Sequence, residues 1–523
     1  PIKSSAASDV YKRQIVRNFW ALALLLSVAL LPQRAFSQDV QGLPKMELQV
    51  IPQNALSMII TVGDKEATIY VDEHQGSLVP HKVPAGEDYT LIISSGTNEA
   101  TIYGELVSAK IMDQKIFQIA VDGMKSLEEL SAFSCGLNDL SLKGCDRLRA
   151  LYLMQNNLSE LSLAETPALQ ELNVGYNVLR ELDCSHCPNL LKLICSKNDL
   201  TKVNISGCTK LNEINVQMNK KLTTLDLSSC KALMGLTCAS TGITDIDVSG
   251  CENLTFIDTA FSPVQRLKAR GCKNLQTLSC YQNDLYNIDL KGCERLDKLT
   301  LQHNPNLGLL DISTLSSLVT LLCSDCGLKE IKIGDLPSLE EFYGFDNKLV
   351  ALDFSGAPNL RELQCDNNQL QSLQLASSMP MLELISAVKN KLSACAIDSI
   401  CVALPEKEQG GQLRIAANPG AETSKTYFAA DKGWTIDILG DGTGCSINVG
   451  VEPVGSTESL CLVDETGITL LSESTQADVA LYTMEGETLY RFAAQESRPT
   501  HLTLPSGRYL LRVGEMTRLV IIP

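Results

Sequence analysis

The stretch Leu275–Leu290, LQTLSCYQNDLYNIDL, contains the pattern that decides the fold of this chain. Its apolar residues do not keep the 3.6-residue period of a helix, whereas Leu278 and Cys280 alternate as in a short strand. The pattern L-x-x-L-x-[LVC]-x-x-[NC]-x-L recurs every 21 or 22 residues. The first leucine of each copy is Leu127, Leu148, Leu169, Leu190, Leu211, Leu233, Leu254, Leu275, Leu296, Leu318, Leu339 or Leu360. Twelve copies in register predict a solenoid of similar turns.

Each copy reads as a leucine-rich repeat. The segment after the first leucine is predicted to be a short strand, stacked in parallel with its neighbours to line a concave face. We call the surface formed by the outward side chains of these strands the strand face. Eight residues after the first leucine the chain turns inward, where a carboxamide can both donate to and accept from buried backbone groups. Asparagine fills this slot at Asn156, Asn177, Asn198, Asn219, Asn283, Asn304, Asn347 and Asn368, with Cys135, Thr241, Ser262 and Cys326 in the other units.

The nineteen cysteines follow the repeats. Seven lie three residues before a first leucine, at Cys145, Cys187, Cys208, Cys230, Cys251, Cys272 and Cys293. Five share one strand slot, at Cys195, Cys238, Cys280, Cys323 and Cys365. A cysteine that replaces Leu or Val in one position behaves as a small buried hydrophobe. Strand neighbours lie ~4.8 Å apart, whereas a disulfide needs Cβ atoms nearer ~3.8 Å. We therefore expect mostly free, packed thiols.

No pattern for catalysis or metal binding emerges from the sequence. The five histidines lack any ligand spacing, and GDGTG at Gly440–Gly444 opens no helix. The Cys-x-x-Cys pairs at Cys184–Cys187 and Cys323–Cys326 could bind metal or act as redox pairs, but all four residues also fall in repeat positions. We expect no enzyme activity, no cofactor and no metal site.

Residues 1–14 resemble adapter-derived sequence, and residues 15–37 read as a signal peptide, with Arg17, an apolar core and small residues before Gln38. The core is too short for a permanent membrane anchor. Removing residues 1–37 takes away five basic residues and one acidic residue, so the formal charge of −17 becomes −21. Such an acidic protein repels phosphate backbones and anionic lipid, which argues against nucleic acid and membrane surfaces as partners.

Other segments flank the repeats, which occupy residues 122–381. Residues 38–121 alternate as short strands and predict an N-terminal β-domain that caps the first repeat. From Leu382 the pattern lapses, and residues 382–438 predict a C-terminal repeat cap with a helix at Ala394–Leu404. Residues 439–459 are rich in Gly and Ser and predict a linker. Residues 460–523 predict four or five strands of a C-terminal β-sandwich.

Two stretches resemble known families. The LDLSSC-type segments, followed by LP, NPG and KGW, resemble the internalin-like leucine-rich-repeat surface proteins common in Bacteroidetes, over about Leu127–Ile438. LPSGRYLLRV resembles the motif of the type IX secretion (Por) C-terminal sorting domain. The matching residues are Leu504, Pro505, Gly507, Tyr509, Arg512 and Val513. This resemblance implies export by the type IX secretion machinery and a secreted or outer cell-surface location.

Aromatic residues recur in the outward slots of the strands, at Phe133, Tyr152, Tyr176, Phe256, Phe261, Tyr281, Tyr343 and Phe345. Exposed rings on a rigid platform anchor protein interfaces and also stack on sugars. We therefore expect the strand face to bind an extracellular or host protein, in an adhesin-like role. A glycan-binding role in nutrient capture is the alternative, although no tryptophan occupies these slots. A third interpretation is that the rings pack on one another and only shield the sheet.

Overall fold

The computed structural model describes residues 40–51, 55–73, 78–94, 98–408, 410–444, 461–464, 467–470, 479–483, 488–492, 501–505, 507–513 and 516–522. The chain divides into two compact units, Pro1–Val264 and Gln265–Pro523. The expected adapter segment and signal peptide lie outside the described residues, as does most of the expected linker.

The N-terminal unit begins with two β-sheets. The first has the order Asp139–Lys143, Ile116–Asp122, Lys45–Val50, Glu99–Tyr103, Ala67–Asp72 and Leu78–Val83. The second contains Leu56–Thr61, Tyr89–Ile93 and Ser108–Met112. Ser108–Met112 is antiparallel to Leu56–Thr61 on one side and parallel to the first repeat strand on the other, with Met112 opposite Phe133. The N-terminal β-domain therefore extends the sheet of the repeats as well as flanking it.

The repeats of the N-terminal unit stack as parallel strands whose central residue is buried and whose neighbours point outward. Leu151 pairs with Leu172, and Leu172 with Leu193, so the leucines of successive turns fill one core at 0–1% exposure. The strands are Glu129–Phe133, Ala150–Tyr152, Glu171–Asn173, Lys192–Ile194, Glu213–Asn215, Gly235–Thr237 and Phe256–Asp258. Across the turns lie the strands Glu181–Asp183, Lys202–Asn204 and Asp245–Asp247.

The C-terminal unit repeats this arrangement. Its parallel strands are Thr277–Ser279, Lys298–Thr300, Thr320–Leu322, Glu341–Tyr343, Glu362–Gln364, Leu384–Ser386, Gly411–Arg414 and Trp434–Ile436. Across the turns lie Arg266–Lys268, Asn287–Asp289, Leu309–Asp311, Glu330–Lys332, Ala351–Phe354 and Ser372–Leu375. Both units therefore confirm the predicted leucine-rich-repeat solenoid.

The sequence pattern lapses at Leu382, but the stacking of turns does not. Leu384–Ser386 pairs in parallel with Glu362–Gln364 and then with Gly411–Arg414. The helix Ala394–Ala403 lengthens this turn, beginning at Ser393, whose hydroxyl accepts a hydrogen bond from the backbone of Ala396. A second helix spans Tyr427–Ala430. An inserted helix breaks the 21-residue spacing without interrupting the sheet.

The last described strands form two antiparallel sheets. One has the order Cys461–Asp464, Gly467–Leu470 and His501–Thr503. The other has the order Thr488–Phe492, Val479–Thr483, Gly507–Val513 and Met516–Ile522. Within the described part of the chain, no helix has the length and apolar character needed to cross a membrane.

Free, buried thiols occupy the repeat positions, as their spacing predicted. Sixteen cysteines are free and buried, including all twelve that the sequence placed in the two repeat positions. Cys395 differs because it is solvent-exposed and disulfide-bonded. The fold therefore keeps its core cysteines reduced beside an oxidised surface cysteine.

Candidate functional site

One residue in the turn after each repeat strand has a left-handed backbone conformation, which residues other than glycine rarely adopt. The residue before each ladder position has a positive φ between 52° and 61°. We call this set the left-handed column. In the N-terminal unit it comprises Ser134, Gln155, Tyr176, Lys197, Met218, Ser240 and Phe261. In the C-terminal unit it comprises Gln282, His303, Asp325, Asp346, Asn367, Lys389 and Ala417.

Asparagines hold the turn in this shape. Asn219, at 0% exposure, accepts a hydrogen bond from the backbone of Leu200 at 3.1 Å and donates to the carbonyls of Cys195 and Val216 at 3.0 and 2.8 Å. Among the eight asparagines named from sequence, Asn156 is half-buried and the other seven are buried. Each ladder asparagine of this type links its own turn to the preceding one, which fixes the strand face above it.

Two asparagines beyond the eight of the regular repeats join the ladder, and one of them, Asn418, lies in the stretch QLRIAANPG, whose sequence resembles a strand followed by an asparagine turn. Asn390 accepts from the backbone of Leu370 at 2.9 Å, and Asn418 accepts from that of Leu392 at 3.0 Å. Asn390 lies eight residues after Leu382, which is the spacing of the other repeats. Where asparagine is missing, other donors substitute: the Thr241 hydroxyl donates to Cys238 and the Cys326 thiol to Leu301.

In the N-terminal unit the predicted rings differ in exposure. Phe133 and Tyr152 are half-buried, whereas Tyr176, Phe256 and Phe261 are 43%, 38% and 56% exposed. The Tyr152 hydroxyl donates to the Glu171 carboxylate at 2.5 Å. Burial, with this hydrogen bond, raises the pKa of Tyr152 to about 12. Tyr152 is therefore a fixed neutral donor, while the other exposed rings offer apolar surface.

Apolar side chains occupy alternate turns of the left-handed column in this unit. They are Tyr176, Met218 and Phe261, with Met218 51% exposed. The Lys197 ammonium lies 4.4 Å from the centre of the Tyr176 ring, within the range of a cation–π contact. Met218 was not among the predicted strand-face residues because the prediction used only aromatic side chains.

In the C-terminal unit a line of polar and aromatic side chains crosses three turns. The Tyr281 ring meets the His303 ring edge-on, with 5.2 Å between centres. His303 Nδ1 lies 2.8 Å from Asp325 Oδ2, and both side chains are about half exposed. These three residues present hydrogen-bonding groups next to a ring on the strand face.

A second cluster in the C-terminal unit surrounds Tyr343. Its hydroxyl donates to Glu362 at 2.6 Å, and burial with this hydrogen bond raises the pKa of Tyr343 to about 12. Arg361 lies 2.6 Å from Glu341 and 3.1 Å from Glu362. Phe345 is half-buried at the next outward position. Glu341 and Glu362 therefore bond to neighbouring side chains, and Glu362 fixes the position of the Tyr343 hydroxyl.

The side chains on the strand face are suited to non-covalent binding. Within the residues the structure describes, no group of three His, Cys, Asp or Glu side chains could hold a metal ion. Cys184, Cys187, Cys323 and Cys326 are all fully buried, and burial raises the pKa of each thiol. The exposed groups are rings, a thioether, amides and paired charges, which suit non-covalent binding.

The residues of the C-terminal motif lie on and beside the strand Gly507–Val513. Leu504 and Tyr509 are buried, and the Tyr509 hydroxyl donates to the carbonyl of Pro505 at 2.8 Å. Gly507 pairs with Ile522. The backbones of Arg512 and Val513 pair with Ala480 and Val479, while their side chains lie outside the described set.

No protein-family model and no curated protein matches the chain. Among solved structures, the functional domain of InlJ from Listeria monocytogenes, which includes a cysteine ladder, is 22% identical over 61% of this chain and 78% of that one, with a TM-score of 0.39. The leucine-rich-repeat domain of APL1B is 21% identical over 46% and 81%, with a TM-score of 0.38. The internalin InlF from Listeria monocytogenes is 15% identical over 64% and 87%, with a TM-score of 0.36.

Proposed function

We propose that this protein is a secreted or cell-surface adhesin-like protein that binds an extracellular or host protein through its strand face. The observation that carries the proposal is the identity of three residues in the left-handed column. Tyr176, Met218 and Phe261 combine a positive φ with 43%, 51% and 56% exposure.

A positive φ and high solvent exposure are both unfavourable for large apolar residues. A left-handed conformation costs a side chain with a Cβ about 1–2 kcal/mol, and short polar residues tolerate it best. Exposed apolar surface adds no folding stability. Ser134 and Ser240 show that a small polar residue satisfies the same backbone position. Large apolar side chains at alternate turns therefore point to contact with a partner, since strain at exposed positions concentrates at functional sites.

The route to the cell surface is proposed from the two terminal segments. The apolar stretch at residues 15–37 provides entry to the export pathway. The segment resembling the type IX sorting motif provides passage through the outer membrane. A buried Tyr509 bonded to the carbonyl of Pro505 gives that motif a fixed turn before its strand.

The proposal is tested with two strand-face variants. One carries Tyr176→Ser, Met218→Ser and Phe261→Ser, which copy the serines found elsewhere in the column. The other carries Tyr343→Ala and Phe345→Ala. Wild type and both variants are applied to an array of host extracellular proteins and glycans. We expect a protein ligand whose affinity falls at least tenfold in one variant or both, since buried interface rings contribute 1–2 kcal/mol or more each.

The matched control is Leu309→Ser. Leu309 is 48% exposed but lies on the strand Leu309–Asp311, across the turn from the strand face. It should bind like wild type. Equal binding by wild type and both strand-face variants would exclude the strand face as the site. Binding only to glycans would instead establish the glycan-binding alternative.

A further inference from the structure

The cysteines of this chain are in two oxidation states that depend on their position. The sixteen free thiols are all buried, at 3% exposure for Cys135 and 0% for the others. Cys395, in the first turn of the helix Ala394–Ala403, is exposed and disulfide-bonded. The fold therefore places the described disulfide-bonded cysteine at the surface and the free thiols in its interior.

Several of the thiols donate hydrogen bonds to backbone carbonyls of the preceding turn. The Cys208 thiol donates to the carbonyl of Cys184 at 3.3 Å, and Cys293 to that of Ala269 at 3.2 Å. The Cys326 thiol, in a ladder position, donates to Leu301 at 3.0 Å. A disulfide sulfur has no proton to donate, so oxidation removes these contacts between turns.

In the unfolded chain the same thiols are close together in sequence. Cys187, Cys208, Cys230 and Cys251 follow one another at 21 or 22 residues, and Cys184 and Cys187 are only three apart. Short loops of this length close readily, and exposed thiols ionise with an ordinary pKa near ~8.5. An oxidant present before folding can therefore join many pairs that the native repeats hold apart.

We propose that the repeats fold only from the reduced chain, so that the order of folding and oxidation acts as a redox-sensitive switch. Each unwanted disulfide forms from two thiols, which lose two protons and two electrons to an oxidant such as a diazene or a disulfide. After folding, the sixteen buried thiols are inaccessible to the same oxidant. Before folding, the oxidant forms disulfides that hold the chain in conformations whose turns cannot stack.

The test compares refolding of the full-length protein without diamide, with diamide present during refolding, and with diamide added after refolding. The chain is unfolded in guanidinium chloride with dithiothreitol and freed of reductant while still unfolded. One sample refolds without oxidant, one refolds in the presence of diamide, and one receives diamide only after refolding. Recovery is measured by circular dichroism, and free thiols are counted in denaturant. We expect the first and third samples to regain native signal and the second to recover at least tenfold less.

Adding dithiothreitol to the second sample under refolding conditions should restore the native signal and the free thiols. The variant Cys395→Ala removes the surface disulfide and should behave like wild type in all three samples, because the sensitive thiols lie in the repeats. Native recovery with free thiols in the second sample would overturn the proposal. Loss of signal that dithiothreitol does not reverse would also count against it, because disulfides would then not be the block.

Discussion

Replacing Asn219 with alanine is expected to lower the free energy of unfolding by about 3–5 kcal/mol. The substitution leaves the backbone N–H of Leu200 and the carbonyls of Cys195 and Val216 without the carboxamide that now bonds them. Each buried backbone group that loses its partner costs about 1–3 kcal/mol. The change is measured as the shift of the urea unfolding transition followed by circular dichroism.

Asn219→Thr is the matched control because threonine occupies the same ladder position in another turn, at Thr241. The Thr241 hydroxyl donates to Cys238 at 2.8 Å. A threonine at 219 should keep the equivalent bond to Val216 and lose less stability than alanine. An alanine variant within about 0.5 kcal/mol of wild type, which is the range of ordinary surface substitutions, would show that the ladder is not structurally required.

Raising the pH from 9 to 11 is expected to destabilise the protein. Burial raises the pKa of the thiols of Cys195 and Cys326 to about 12, whereas an unfolded thiol ionises near ~8.5. The stabilising contribution of a group with a raised pKa is complete below the unfolded pKa and is lost as the pH rises through the folded one. In this window each such thiol reduces stability by about 1.4 kcal/mol per pH unit, because only the unfolded state releases its proton.

The variant Cys195→Val isolates this effect. Val174 and Val216 fill the same slot in the neighbouring turns and are fully buried, so valine suits the site. The free energy of unfolding, obtained from urea titrations at pH 8, 9, 10 and 11, should fall less steeply with pH for the variant, by about 1.4 kcal/mol per pH unit above pH 9. Identical slopes for the two proteins would mean that the thiol does not titrate with unfolding.

The repeat pattern predicted most of the fold because each turn buries the same residues in the same places. Leucine spacing located the strands through Glu362–Gln364. The turn that begins at Leu382 keeps this spacing, but the helix Ala394–Ala403 then separates Leu384–Ser386 from the next strand, Gly411–Arg414, and ends the regular period. A search for sequence repeats detects only turns of nearly equal length. Stacking requires only that the next strand pairs with the same sheet.

The strand face was harder to predict because exposure and backbone conformation leave little trace in the sequence. The left-handed column contains Ser, Gln, Lys, His and Ala as well as Asp and Asn, so no residue type marks it. Met218 carries no aromatic ring and Met112, 56% exposed, precedes the repeats, so neither was included. The sequence also does not show which acidic side chains bond to neighbours, as Glu362 does by accepting a hydrogen bond from Tyr343.

We propose that the partner contacts the strand face and not the opposite side of the turns. Photo-crosslinking tests it most directly, with p-benzoylphenylalanine placed at Tyr176 or Met218 on the strand face and at Lys202 or Leu309 on the strands across the turns. Each protein is irradiated with the extracellular protein that binds wild type on the array. The account predicts covalent adducts from the strand-face positions at least tenfold more abundant than from the others. Equal adducts from both sides, or adducts only from Lys202 and Leu309, would contradict it.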